Sequence, residues 1–152
     1  MFKDVRLDNF HSSIDCFAYE FFGCHAVSED VYVFRVWAPH AKSVSLVGSF
    51  NDWKEEAGVM TRLSDNESYE IEVNAKIGDT YKFCIVTYDG RKLYKADPYA
   101  FCSDLPNSYA SKIADVPLSG DYIRKAAPDQ PINIYEVNLL SWRKRKNSKV
   151  LK

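Results

Sequence analysis

Residues 31 to 53 read VYVFRVWAPHAKSVSLVGSFNDW: two apolar strands, a Pro-bearing link between them, and a loop that ends on an indole. Val31 to Ala38 is almost continuously apolar or aromatic, which fits a strand covered on both faces and is too short for an ordinary helix. Pro39 stops it. From Ala41 to Gly48 the period becomes two, with Val44 and Leu46 on one face and Ser43 and Ser45 on a wet one. The two strands are expected to form the hairpin around which the chain is organised. Trp37, inside the strand with two apolar faces, is expected in the core. In Ser49-Phe50-Asn51-Asp52-Trp53 turn formers surround two rings, so Phe50 is expected to drop inward while the loop carries Trp53 toward solvent.

On the N-terminal side, Val5, Leu7 and Phe10, then Phe17, Ala18, Phe21 and Phe22, suggest a small helical cap over residues 1–24, with Asp8 or Ser12 able to cap a turn and Gly23 closing it. Val27 to Asp30 reads as a polar turn into the first strand. On the C-terminal side, Lys54 to Gly58 is charged and loop-like, and Met60 to Leu63 has the makings of a brief strand. Ser68 to Asn74 alternates without fault, Tyr69, Ile71 and Val73 inward and Glu70 and Glu72 outward. Tyr81, Phe83 and Ile85 then share a face opposite Lys82, Cys84 and Val86. Asp89-Gly90 supplies the positive φ of a tight hairpin into Leu93-Tyr94-Lys95, and Lys112 to Ala114 is a last strand candidate. About seven short strands at even spacing predict an all-β, immunoglobulin-like (E-set) sandwich over residues 25–123 with a short N-terminal helical cap. Residues 124–131, Pro-flanked and without apolar periodicity, read as a linker. Ile132 to Val137 is then a strong strand with no place left in a completed sandwich.

Composition narrows the function. A chain of 152 residues with 46% hydrophobic and 14% aromatic content can bury one core of ordinary size. A formal net charge of −1 gives no electrostatic footprint for nucleic acid or a membrane surface. Arg143, Lys144, Arg145, Lys146, Lys149 and Lys152 read as a solvated basic tail. No apolar run reaches membrane-spanning length and no signal peptide is legible, so a cytoplasmic protein is expected. Cys16, Cys24, Cys84 and Cys102 form no CxxC pair and are expected as thiols. His11, Cys16, Cys24 and His25 lack the spacing of common zinc modules, so neither a metal nor a cofactor is expected.

Taken together, Phe34 to Ala41, Gly48 to Trp53, Tyr81-Lys82-Phe83, Lys95 to Ala100 and Ile134 to Val137 resemble bacterial 1,4-α-glucan branching enzymes of the α-amylase superfamily. So do Phe10-His11-Ser12 and Ala18 to Gly23. The motifs span nearly the whole chain in the family's order. The resemblance implies a family 48 carbohydrate-binding, or isoamylase N-terminal, module ahead of a (β/α)₈ catalytic barrel, with residues 132–152 as the start of that barrel. Asn138 and Leu140 depart from the His and Gly usual there. A barrel takes about 200 residues or more, so the catalytic carboxylates of the family cannot lie on this chain. No catalytic residue is therefore expected here. Glu70, Glu72 and Asp97 read as a wet strand face and a turn former.

The partner that the resemblance implies is α-glucan, as glycogen or maltooligosaccharides. Its pyranose C–H groups stack on flat rings while amide and ammonium groups bond its hydroxyls. Carried over from similar modules of energy-sensing kinase β-subunits, the ring is Trp53 and the ammonium is Lys82. Asn51 lies in the same loop, and Tyr94 stands near the position of a second aromatic. Two readings stay open at this point: a module that binds glucan, and an interaction domain that docks on the enzyme's own catalytic barrel and tunes chain-length preference. Under the second, Trp53 packs beneath its loop or against the barrel.

Overall fold

The computed structural model describes residues 5–104, 108–115 and 136. The chain divides into two compact units, Met1–Val116 and Pro117–Lys152, and the fold is that of the first. The expected linker, the strand at 132–137 and the basic tail lie outside the described residues.

Among the described residues, eight strands form two antiparallel sheets, as the sequence pattern demands of an all-β sandwich. The first sheet has the order β1 (Gly23–Ser28), β2 (Val31–Trp37), β5 (Ser68–Asn74), β4 (Thr61–Arg62). The second has β3 (Ala41–Gly48), β6 (Thr80–Thr87) and β7 (Lys92–Lys95), with β8 (Ser111–Lys112) also on β6. Helix α1 (Val5–His11) and a 3₁₀ turn at Ala18–Glu20 make the cap. Among the described residues no helix is long and apolar enough to cross a membrane.

The core lies between the sheets. Tyr32, Phe34 and Val36 of β2 meet Val44 and Leu46 of β3, Tyr69 of β5 and Tyr81 and Phe83 of β6. Phe34 and Tyr81 pack edge to face with ring centroids 4.8 Å apart. Burying a ring such as Phe34 contributes about 1.5–3 kcal/mol. Leu7, Phe21 and Phe22 build a second cluster under the cap, with Phe10, Ala18, Leu63 and Tyr99 against it.

Three expectations are corrected. First, Val31–Trp37 and Ala41–Gly48 are not a hairpin: both edges of β2 are taken by β1 and β5, and β3 pairs with β6 in the other sheet. Pro39 lies in an arch that crosses from one sheet to the other, so the apolar faces of the two strands oppose each other across the core. Second, Cys24 to Ser28 is not the end of the cap and a turn but the body of β1, registered from Gly23↔Arg35 to Ser28↔Val31 with a bulge between Ala26 and Ser28. Its mixed composition, GCHAVS, hid a strand that pairs along the edge of β2. Third, Trp37 is not in the core but 44% exposed. Tyr32, Phe34 and Val36 take the inner face, so alternation turns Val33, Arg35 and Trp37 to the outer face, where Phe21 and Phe10 of the cap pack on Arg35 and Trp37.

Candidate functional site

The site begins where β3 ends. Gly48 is followed by a 3₁₀ turn, Ser49–Asn51, in which Phe50 packs against the core as expected. Gly48 is required by close approach: a Cβ there would stand 2.5 Å from Thr80 O and 2.6 Å from Phe50 Cε1. The Asn51 carboxamide holds the loop together. Its Oδ1 accepts from Gly48 N at 2.9 Å, and its Nδ2 donates to Leu46 O at 3.0 Å and Lys54 O at 3.3 Å. Asp52 and Trp53 follow with φ of 54° and 61°, two successive left-handed non-glycine residues. Such backbone costs on the order of 1–3 kcal/mol per residue and persists where the surroundings impose it. Here Trp53 N donates to Gly48 O at 3.0 Å, and Trp53 stands 40% exposed.

The strand register places the other two candidates on the sheet this loop leaves. Lys82 lies opposite Val47, one residue before Gly48, and Tyr94 lies opposite Cys84. Lys82 and Cys84, two apart on β6, share the outer face, so Lys82 and Tyr94 belong to the same side of the sheet. Lys82 Nζ donates to Ser108 O at 2.7 Å. Tyr94, half exposed, donates its hydroxyl to Glu55 Oε1 at 2.5 Å, and Lys92 Nζ donates to Glu55 Oε2 at 2.6 Å.

Glu55 is the residue that the sequence did not reveal. It stands in a 3₁₀ turn at Glu55–Ala57, and the chain after it, at Gly58 to Met60, runs along the free edge of β3 through Leu46 N→Gly58 O at 2.7 Å and Met60 N→Val44 O at 3.0 Å. Its partners are 37 and 39 residues away, and no local pattern joins them. The hydrogen bond from Lys92, then that from Tyr94, hold the Glu55 carboxyl below its ordinary range. The reciprocal bond pushes Tyr94 up to about 12. Tyr94 is thus a neutral phenol, fixed at its oxygen.

Lys82, Tyr94 and the Glu55 carboxylate share one sheet face, and Trp53 stands on the loop that leaves the same sheet; rings, an ammonium and a carboxylate are the groups that suit a flat, hydroxyl-rich ligand. The other sequence candidates have structural partners. Glu70 is bonded to Arg35 at 2.5 Å, Asp97 is buried against the Tyr81 hydroxyl at 2.8 Å, His11 Nε2 lies 3.0 Å from Asp65 Oδ2, and His25 Nε2 lies 2.9 Å from Phe22 O. Among the described residues no group of three or more His, Cys, Asp or Glu could hold a metal ion.

A profile of the family described as Carbohydrate-binding module 48 (Isoamylase N-terminal domain) matches residues 21–100. The chain is 40% identical to the 1,4-alpha-glucan branching enzyme GlgB of Bacillus caldolyticus, over 93% of this chain and 23% of that protein. It is 41% identical to the GlgB of Fusobacterium nucleatum, over 86% of this chain and 22% of that protein. The chain thus spans about a quarter of the length of the curated relatives it matches. Among solved structures, a ligand-free PulA mutant of Klebsiella pneumoniae aligns with TM-score 0.50 at 29% identity, over 62% of this chain and 9% of that one.

Proposed function

The chain belongs to the carbohydrate-binding module 48 family, and from that premise we propose that it is the α-glucan-holding N-terminal module of a 1,4-α-glucan branching enzyme of the cytoplasm, one that positions glycogen chains for a catalytic barrel. Trp53 carries the reading. Its indole is 40% exposed at the tip of a loop whose backbone is left-handed at two non-glycine residues and bound together by Asn51. A large flat ring held in place by strained backbone and shown to solvent is the arrangement that stacking on a sugar ring needs. In this reading Trp53 stacks on a glucose ring, Lys82 bonds a hydroxyl, and Tyr94, anchored by Glu55, is the second ring. Asn51 acts through the loop it shapes.

Calorimetric titration of the 152-residue chain with maltoheptaose tests the proposal: saturable heat that Trp53→Ala lowers supports it, and no heat at millimolar sugar overturns it. The second reading, docking on the barrel, rests on a different observation. Val5, Ile14 and Phe17 of the cap are each more than half exposed, apolar area that a neighbouring domain would cover.

A further inference from the structure

Trp37 opens a second possibility, at the other end of the molecule. The cap runs across the outer face of the first sheet, and Phe21 lies over the Arg35 guanidinium at 4.6 Å. It stops at Trp37. That indole stays 44% exposed, slightly more than Trp53, yet its pose is fixed. Nε1 donates to Glu67 Oε2 at 3.0 Å, and the Phe10 ring meets the indole edge to face at 5.5 Å. His11 packs against the same indole at 6.4 Å, its own Nε2 3.0 Å from Asp65 Oδ2. The exposed part of Trp37 thus lies beside the Glu67 carboxylate and the His11 imidazole.

We infer that Trp37, with Glu67 and His11, forms a second α-glucan platform, independent of the Trp53 site. This inference rests on the reading of the chain as a glucan-binding module. The chemistry favours sugar over protein as occupant. A pyranose covers the indole with C–H groups and turns hydroxyls to the carboxylate and imidazole at the rim, whereas an apolar protein surface would strip water from Glu67 without replacing its hydrogen bonds. The placement favours independence. Trp37 precedes the start of β3 and Trp53 follows its end, so the eight residues of that strand put about 26 Å between the two ends. One module would then hold two stretches of glucan at opposite ends.

The test is a titration of the 152-residue chain with maltoheptaose, followed by ¹⁵N NMR of the indole N–H signals of its three tryptophans, assigned by single Trp→Phe replacements. Both the Trp37 and Trp53 signals are expected to move. In Trp53→Ala, the affinity reported by Trp37 is expected to stay within about twofold of the original, as for distant sites that share no partner. A Trp37 signal that stays still while that of Trp53 moves overturns the second platform and leaves the first reading standing. Movement at Trp37 alone supports the second platform and overturns the first. Stillness at both overturns both.

Since Trp37→Ala also removes the ring against which Phe10 packs, Glu67→Gln serves as the informative variant. It keeps an acceptor for the indole N–H and removes the charge offered to a sugar hydroxyl. The affinity read at Trp37 should fall by about tenfold, the size expected for a hydrogen bond to a charged group, with Trp53 unaffected. An unchanged affinity at Trp37 in this variant, or an equal response to cellohexaose, overturns the platform as described.

Discussion

Trp53 was a residue with two possible lives in the sequence, as a packing ring or as a platform, and its surroundings now weigh on that choice. A fully buried Trp truncated to Ala costs about 3–5 kcal/mol of stability. With 40% of its surface in solvent, Trp53 has less packing to lose. Trp53→Ala is therefore expected to lower stability by less than about 2 kcal/mol, because only part of the large-to-small penalty applies. Maltoheptaose binding should weaken by about 1–3 kcal/mol, the range for a base stacked on an aromatic ring. Urea unfolding and calorimetric titration of the same variant read both quantities, and a stability loss of fully buried size with intact binding would remove Trp53 from the site. Lys82 is expected to matter less. Its ammonium already bonds Ser108 O, so Lys82→Ala should cost binding about 0.5–1.5 kcal/mol, the net worth of one hydrogen bond. The contrast with Trp37 shows what sequence can miss at this scale. The almost continuous apolarity from Val31 to Ala38, broken at Arg35, predicts cover on both faces, and Val33 and Phe34 fit it at 4% and 0% exposure. How far that cover extends depends on where the cap ends, and no residue of β2 encodes that.

At the scale of elements, the segment from Gly48 to Met60 joins loop to sheet. Gly58 is its tightest point: a Cβ there would fall 1.8 Å from Leu46 O, inside the backbone of β3, where no side chain can yield. Gly58→Ala should push the segment off β3 and destabilise the fold by about 1–3 kcal/mol or more, the usual cost of overpacking. The expected companion effect is a fall in the Tyr94 pKa from about 12, since Glu55 rides on the displaced segment. Urea unfolding and a spectrophotometric tyrosine titration check the two halves, and wild-type values in both would show that the contact yields cheaply. Elements with strong alternation were legible from sequence. Ser68–Asn74 and Thr80–Thr87 lie where the period of two put them, and Gly90, at φ 85°, makes the turn that Asp-Gly announced. What was illegible depends on distant partners. β1, GCHAVS, has no clear period of two and pairs along the edge of β2, and the arch between β2 and β3 looks like a hairpin until both edges of β2 are counted. The Glu55 cluster has the same character, joining residues 37 and 39 apart.

Across the whole molecule, Asp97 ties distant parts of the chain together. As a turn former it was legible, with Ala100 N donating to its carbonyl at 3.2 Å. As an anchor it was not. Its Oδ2 accepts from the Tyr81 hydroxyl on β6 and its Oδ1 from Tyr99 N, while its own N–H donates to Ser111 Oγ on β8, each at 2.8 Å. At 6% exposure, burial raises the carboxyl above its ordinary value of 3.8, against the opposing pull of the Tyr99 and Tyr81 hydrogen bonds. Between 3.8 and the raised value, the folded chain therefore holds a proton at Asp97 that the unfolded chain has released. The contribution of this group to stability is then fully present below 3.8 and is lost as pH rises through the raised value. Asp97→Asn has no such dependence, and its amide still offers an acceptor to Tyr99 N while the Tyr81 hydroxyl can turn to accept. The stability of the variant minus that of the wild type should accordingly climb with pH from about 4 and level off once Asp97 is ionised in both states, a trend that urea unfolding from about pH 4 to 7 would trace. A difference that instead falls with rising pH would mean that the two hydrogen bonds outweigh burial, and that the sandwich is held by a carboxylate rather than strained by one.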